Sequence, residues 1–283
     1  MKTKIFIAFL SIGLIASSCG NKKTGGNEGG GSSDEIELRL NLTKGKKYDM
    51  KMVMTSNAEM NMMGQAVNTV NNIEMGMDYE VMDVMSNGNF LVRTTYKKTK
   101  MDGETMGMKY EYDSETGKTS GMQGEQMSKS MKKMIGQYTE MEMDKFGKII
   151  KSTNSDTTGK KKNRGGIENF SFAVFPDKKI KVGDTWDSNI EQNMEGIMMV
   201  INSNYKLVSV KDGIAEVSID GIVEIKPGSE GKVSGTQKGS AKIEVATGLG
   251  KEIVIDQDME MEMSDMGMKM PVKMKNKITI TMN

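Results

Sequence analysis

Ile73-Glu74-Met75-Gly76-Met77-Asp78-Tyr79-Glu80-Val81 puts an apolar side chain at every second position and a charged or small residue between. Side chains of an extended chain point alternately to opposite faces, so this stretch has one apolar side and one wet side. A helix would scatter the same residues around its circumference. The pattern predicts a strand of an antiparallel sheet that is covered on one face only.

The alternation recurs along the chain. Met50, Met52 and Met54 oppose Lys51 and Val53, and Met106, Met108, Tyr110 and Tyr112 oppose Gly107, Lys109 and Glu111. Met141 and Met143 oppose Glu140 and Glu142, Met259, Met261 and Met263 oppose Glu260 and Glu262, and Met266 to Met274 oppose Gly267, Lys269, Pro271 and Lys273. More ordinary strands are expected at 90–96, 205–210, 214–219, 222–225, 241–245, 251–255 and 277–281. Ser86-Asn87-Gly88-Asn89, Lys211-Asp212-Gly213 and Thr247-Gly248 supply the positive φ that hairpin turns need. Helix is expected at 125–135, where Met127, Met131 and Met134 have helical spacing, and around 167–174. The fold class is all-β, a curved antiparallel sheet, half-barrel or sandwich, with one or two short helices.

The amino-terminal region reads differently. Lys2 and Lys4 precede an apolar run from Ile5 to Ala16, followed by Ser17, Ser18 and Cys19. A charged start, a short apolar stretch and small residues before a cut site make a secretory signal. About 12 apolar residues are too few for a spanning helix, which needs roughly 20. The small residues leading into Cys19 resemble the lipobox of bacterial lipoproteins, with Ala16 where that family commonly has Leu. The resemblance implies cleavage before Cys19 and lipid attached to it, hence a membrane anchor. Cys19 is the single Cys, so no intramolecular disulfide forms. Residues 20–35 carry Gly, Ser, Asn and charges but one Thr and no apolar side chain, and read as a flexible tether. No Asp follows Cys19 at once, which favours the outer membrane facing the periplasm, with surface exposure as the alternative.

Composition excludes several functions. The chain has no His, which removes the commonest general base and metal ligand, along with any Ser-His-Asp or Cys-His arrangement. Net charge is +1 before loss of Lys2 and Lys4 and gives no basic field for nucleic acid. No motif calls for a cofactor or a metal, and an enzyme is not expected.

The two halves of the chain rhyme. Lys44-Gly45-Lys46-Lys47-Tyr48-Asp49 resembles the Gly183-Asp184-Thr185-Trp186-Asp187 stretch, and Asp78-Tyr79-Glu80-Val81 before Asn87-Gly88 resembles Asn204-Tyr205-Lys206-Leu207 before Asp212-Gly213. The expected organisation is a signal at 1–18, lipidated Cys19 and linker at 19–35, a β unit at 36–150, a loop or helix connector at 151–175, and a second β unit at 176–283. Phe175-Pro176-Asp177 and Val182-Gly183-Asp184-Thr185-Trp186, with Leu40-Asn41-Leu42 and Gly45, resemble an uncharacterised family of bacterial envelope lipoproteins. That resemblance implies a mostly β envelope protein and transfers no catalytic residue.

Thirty-one Met residues in one chain call for a reason, because β-branched and aromatic residues fit strands better. Met fills irregular core gaps, and its adaptable thioether suits varied apolar ligands. Thioethers also select Cu(I) or Ag(I). The expected role is a non-enzymatic, membrane-anchored envelope lipoprotein that binds a lipid or acyl chain, or serves as a structural or accessory protein for an envelope partner. A Met-rich Cu(I)- or Ag(I)-binding protein is the alternative. Candidate ligand contacts are Met52, Met75, Met77, Met108, Met261, Met263, Met268 and Met270.

Overall fold

The computed structural model describes residues 35–62, 65–155, 161–162, 175–194, 197–228, 232–265 and 268–283. Cys19 and the segment 167–174, where a second helix was expected, lie outside them. The first half holds β1 (Lys47–Met62), β2 (Gln65–Val84), β3 (Phe90–Thr105), β4 (Met108–Asp113), β5 (Thr119–Ser120), α1 (Gly121–Met134), β6 (Tyr138–Met143), β7 (Ile149–Ser155) and β8 (Lys161–Lys162). The second holds β9 (Thr185–Met194), β10 (Ile197–Lys211), β11 (Ile214–Ile225), β12 (Lys232–Glu244), β13 (Gly250–Asp265) and β14 (Met268–Met282).

All these strands join one antiparallel sheet in the order β8-β7-β6-β3-β2-β1-β14-β13-β12-β11-β10-β9, with β4 and β5 branching from the far part of β3. The path does not close: β8 and β9 end it and do not pair with each other. The fold is all-β, as the alternation predicts. Both halves form one sheet rather than two packed layers, because β1 of the first half pairs with β14 of the second over Met50↔Met282 to Met60↔Val272.

One face of every long strand is buried. Met50, Met52, Met54, Ile73, Met75 and Met77 share a single apolar cluster with Met199, Ile201, Ile253, Ile255, Met259 and Met261 from the other half. A flat sheet leaves one face wet unless another layer covers it, and among the described residues there is one helix. The sheet therefore curls, so that its inner face packs on itself.

Two extended segments cover one end of the curl. Ile36 and Ile180 form an isolated antiparallel bridge, with bonds of 2.8 and 2.9 Å. Leu40 N–H donates to the Lys145 carbonyl at the β6–β7 turn, and Asn41 N–H to the Thr247 carbonyl at the β12–β13 turn. Leu38, Leu40, Leu42, Phe175 and Ile180 are all buried in the core. The Arg39 guanidinium lies 4.4 Å from the Phe146 ring centroid and donates to the carbonyls of Leu38 and Pro176. Residues 36–42 thus lace together turns that the sheet leaves apart.

The helix packs on β4 and β5 through Gly124, Met127, Ser128 and Met131. Gly124 sits where a Cβ would come 2.6 Å from the Glu111 carbonyl, so the helix lies close on the strand. Lys132 and Lys133 face the negative end of its dipole, and Gly136 at φ 80° turns the chain away.

Corresponding irregularities occur in both halves. Gly45 N–H donates to Val81 O and Val81 N–H to Lys46 O; Gly183 N–H donates to Leu207 O and Leu207 N–H to Asp184 O. The register of β2 on β3 shifts after Val81, and that of β10 on β11 after Leu207. A second pair of shifts falls at Glu142/Met143 and Lys242/Ile243. By these register shifts the counterpart of Ile243 is Met143, and β4, β5 and α1 stand between β3 and β6 with no counterpart among the described residues of the second half.

Candidate functional site

The inner face is apolar towards both ends of the strands and polar across its middle. Reading partner to partner from β9, a single row runs Ser188↔Ser203↔Gly221↔Gln237↔Gln257↔Asn276↔Ser56↔Asn71↔Gly103. Each of these residues occupies the inward position of its strand. Ser56, Asn71, Ser188, Ser203, Gln237, Gln257 and Asn276 are all buried, yet none carries a charge. Directly opposite partners have Cβ atoms about 4.5–5.5 Å apart, so the side chains form a continuous line.

Part of the line satisfies itself. Gln237 Nε2 donates to Ser203 Oγ at 2.8 Å, and Gln257 Nε2 donates to Gln237 Oε1 at 3.2 Å. At the other end the Tyr110 hydroxyl donates to Asn71 Oδ1 across Gly103. Burial and the nearby charge of Asp102 push the Tyr110 hydroxyl up to about 12. A side chain at Gly103 would overlap the Tyr110 ring, and one at Gly221 would come 3.0 Å from both Gln237 Cγ and Ser203 Oγ. The two glycines let a longer side chain cross the intervening strand.

Asn276 is different. Both Oδ1 and Nδ2 are buried without a hydrogen-bond partner in the protein, and Gln257 Oε1 beside it also lacks one. Buried polar groups are nearly always satisfied, by protein, by ordered water or by a ligand. Three unsatisfied atoms on adjacent residues mark a place where something else supplies the bonds.

The outer face is dented along the same row. A depression of about 720 Å³ is lined by Asp187, Asn202, Asn204, Asp220 and Lys238 and reaches the row residues Ser188, Ser203, Gly221 and Gln237. A second, of about 370 Å³, is bordered by Asp256, Asp258, Lys275 and Lys277 and also by Gln257 and Asn276 of the row itself. Side chains here bond among themselves, Asn204 Nδ2 to Asp187 Oδ1 at 2.7 Å and Asn189 Nδ2 to Asn202 Oδ1 at 2.5 Å.

The Met residues singled out from sequence separate into three groups. Met52, Met75, Met77 and Met261 lie on the inner face, none more than 5% exposed, so no water-sized void reaches them. Met270 is half-buried opposite Met263, and Met268 pairs with Asp265 near the β13–β14 turn. Met108 corrects the expected pattern: it is 59% exposed, as Met106 is at 61%, because β3 and β4 run past the covered part of the sheet to a turn in which Met106 has φ 53°. The register sets Met259 opposite Met274 and Met263 opposite Met270, with Met261 opposite Val272 between them. Among the described residues no group of three or more His, Cys, Asp or Glu could hold a metal ion. Among the same residues no helix is long and apolar enough to cross a membrane.

The polar row escaped the sequence reading. Its signal was present as the single uncharged polar residue that interrupts each apolar alternation, but only the strand register brings those interruptions into line.

Comparison with known proteins places part of the chain. Residues 158–250, which include β9 to β12 and the Val182-Gly183-Asp184-Thr185-Trp186 stretch, match a family of unknown function, DUF6263. The match bears out the expectation of an uncharacterised family and spans less than half of the chain. No curated protein matches. Among solved structures, an outer membrane channel from Pseudomonas putida F1 aligns over 90% of this chain and 100% of its own, at 7% identity and a TM-score of 0.26. A superposition that poor carries no argument about fold, place or activity.

Proposed function

We propose that the protein is a non-enzymatic lipoprotein of the bacterial envelope, anchored through lipid on Cys19, whose curled sheet takes up a hydrophobic molecule such as an acyl chain. The observation that carries the reading is the inner face itself: apolar on eight long strands and Met-rich on β1, β2, β13 and β14, within a sheet whose edge strands β8 and β9 do not pair. Thioether side chains change rotamer at little cost and repack around a guest. The inner walls touch in the present state, so a guest enters by parting them rather than by filling a standing cavity.

The test is mass spectrometry of the full chain extracted from membranes in mild detergent. The proposal expects an intact mass that begins at Cys19 and includes its acyl groups, and under native conditions a further lipid mass lost on denaturation. A chain that retains residues 1–18, or begins elsewhere without acyl groups, overturns the anchor. A mature chain without a guest, and unable to take one up from mixed lipid vesicles, overturns the binding role.

A further inference from the structure

The row across the inner face gives the guest a chemistry. Resting on the reading that an acyl chain lies against this face, we propose that the row is the subsite for an uncharged secondary amide on that chain, held by Asn276 and Gln257. The guest is an amide-linked acyl chain, not a free fatty acid or a simple ester.

The argument is one of complementarity. Asn276 offers a donor and an acceptor side by side, both buried and both unpartnered, and Gln257 Oε1 offers a second acceptor next to it. A secondary amide answers both: its carbonyl accepts from Asn276 Nδ2, and its N–H donates to Asn276 Oδ1 or Gln257 Oε1. Turning the Asn276 amide over exchanges the two atoms and leaves the demand for one donor and one acceptor unchanged. An ester has no donor and a hydrocarbon has neither, so each leaves a buried polar group unsatisfied.

Charge excludes the ionised alternatives. No inward residue of the row is ionisable at neutral pH; Asp256, Asp258, Lys275 and Lys277, which border the same depression as Gln257 and Asn276, are exposed on the outer face and pair with one another. An ionised head group at the row would be buried without a counter-charge, which is costly. Apolar surface lies on both sides along the strands, Ile253, Ile255, Ile278 and Ile280 towards one end and Met259, Met261, Val272 and Met274 towards the other. A chain with its amide at the row therefore finds apolar wall in either direction.

The row is also placed where such a contact is specific. Gln237 and Ser203 are already engaged with each other, and Gln237 takes the Gln257 amide donor, which fixes the Gln257 side chain with its carbonyl free. That half of the row acts as a support that positions the free acceptor.

The experiment uses the full chain in detergent, with three probes of equal chain length: N-methylpalmitamide, methyl palmitate and octadecane. Binding is read by competition against a fluorescent acyl probe, and by native mass spectrometry. The proposal expects the amide to bind roughly ten-fold or more tightly than the ester, the scale of one or two hydrogen bonds. Asn276→Leu abolishes that preference and leaves ester and hydrocarbon binding in place. Gln257→Leu, chosen in case the first variant does not fold, reduces it. Equal binding of amide and ester by the native protein, or a preference that survives both substitutions, overturns the amide subsite while leaving the acyl-chain reading intact. Failure of all three probes to bind overturns the acyl-chain reading and this proposal with it, and assigns the row to ordered water.

Discussion

Gln237 of β12 donates to Ser203 of β10 although β11 lies between them, and the bond passes over Gly221. The backbone of Gly221 is not in the left-handed region, so the requirement for glycine there is one of space. An added Cβ would stand 2.8 Å from the Asn202 carbonyl and 3.0 Å from Gln237 Cγ and Ser203 Oγ. Gly221→Ala is expected to destabilise the fold by about 1–3 kcal/mol, the usual cost of forcing an extra carbon into a packed interior. Urea unfolding checks this. Gly45→Ala makes the control: at φ 81° with nothing within 4 Å, its cost comes from the backbone alone.

Arg93 and Glu140 face each other across β3 and β6, Nη2 to Oε1 at 2.6 Å, with the carboxylate side chain 8% exposed and the guanidinium 31%. The guanidinium also lies 4.4 Å from the Tyr138 ring centroid. Removing Arg93 leaves a buried carboxylate without this partner. Arg93→Met is expected to cost about 2 kcal/mol, less than a fully buried pair because water reaches the guanidinium. The same substitution in a Glu140→Gln background should cost less. A double-mutant cycle by chemical denaturation measures the difference.

Alkaline pH should loosen the fold through its buried phenols. Burial raises the hydroxyls of Tyr79 and Tyr205 above their ordinary range, and that of Tyr110 to about 12. In the unfolded chain each ionises near pH 10. Below that pH both states hold the proton and the contribution is fully present. As pH rises past about 10 the unfolded state ionises first, so stability falls, by up to about 1.4 kcal/mol per pH unit for each group. Denaturation midpoints measured from pH 8 to 12 should decline above 10, and Tyr79→Phe should make the decline shallower by one group.

The outer face pairs strands by charge. Asp256, Asp258 and Glu260 of β13 meet Lys277, Lys275 and Lys273 of β14 at 3.3, 3.5 and 3.2 Å. All six are well exposed, so Lys275→Glu alone should cost no more than about 1 kcal/mol. Reversing all three Lys to Glu sets like charges opposite one another along one ladder and should cost clearly more. Added salt should recover part of that loss, as denaturation at 20 mM and 500 mM NaCl will show.

Strand existence was legible in the sequence, strand length was not. Alternation located β1, β2, β13 and β14, yet the apolar pattern breaks at Ser56, Gly221, Gln257 and Asn276, and each break reads locally as the end of a strand. In the structure the chain continues through every one of them. Residues 214–219 and 222–225 are a single β11, and 251–255 and 259–263 a single β13. A polar residue at an inward position violates the local pattern, and only neighbours contributed by other strands make sense of it. The helix at 125–135 was legible from the spacing of Met127 and Met131 and proves to start four residues earlier. Exposure of Met108 was not legible, since alternation says which side a residue faces but not how far the cover extends.

The strand that joins the halves is β14, set between β1 and β13 in space but last of the fourteen in chain order. From β1 to β3 and from β9 to β14 every neighbour follows its partner through a short connection, so these arrays assemble from local contacts, which form fast. The β1–β14 seam pairs residues more than 200 positions apart, and Asp49 and Asn283 exchange backbone bonds at its rim. Its loop-closure entropy is met only once both arrays exist. Folding should therefore show a late step in which β1 docks on β14, before which the exposed ladders of β1 and β14 are the surfaces most open to wrong pairing between molecules.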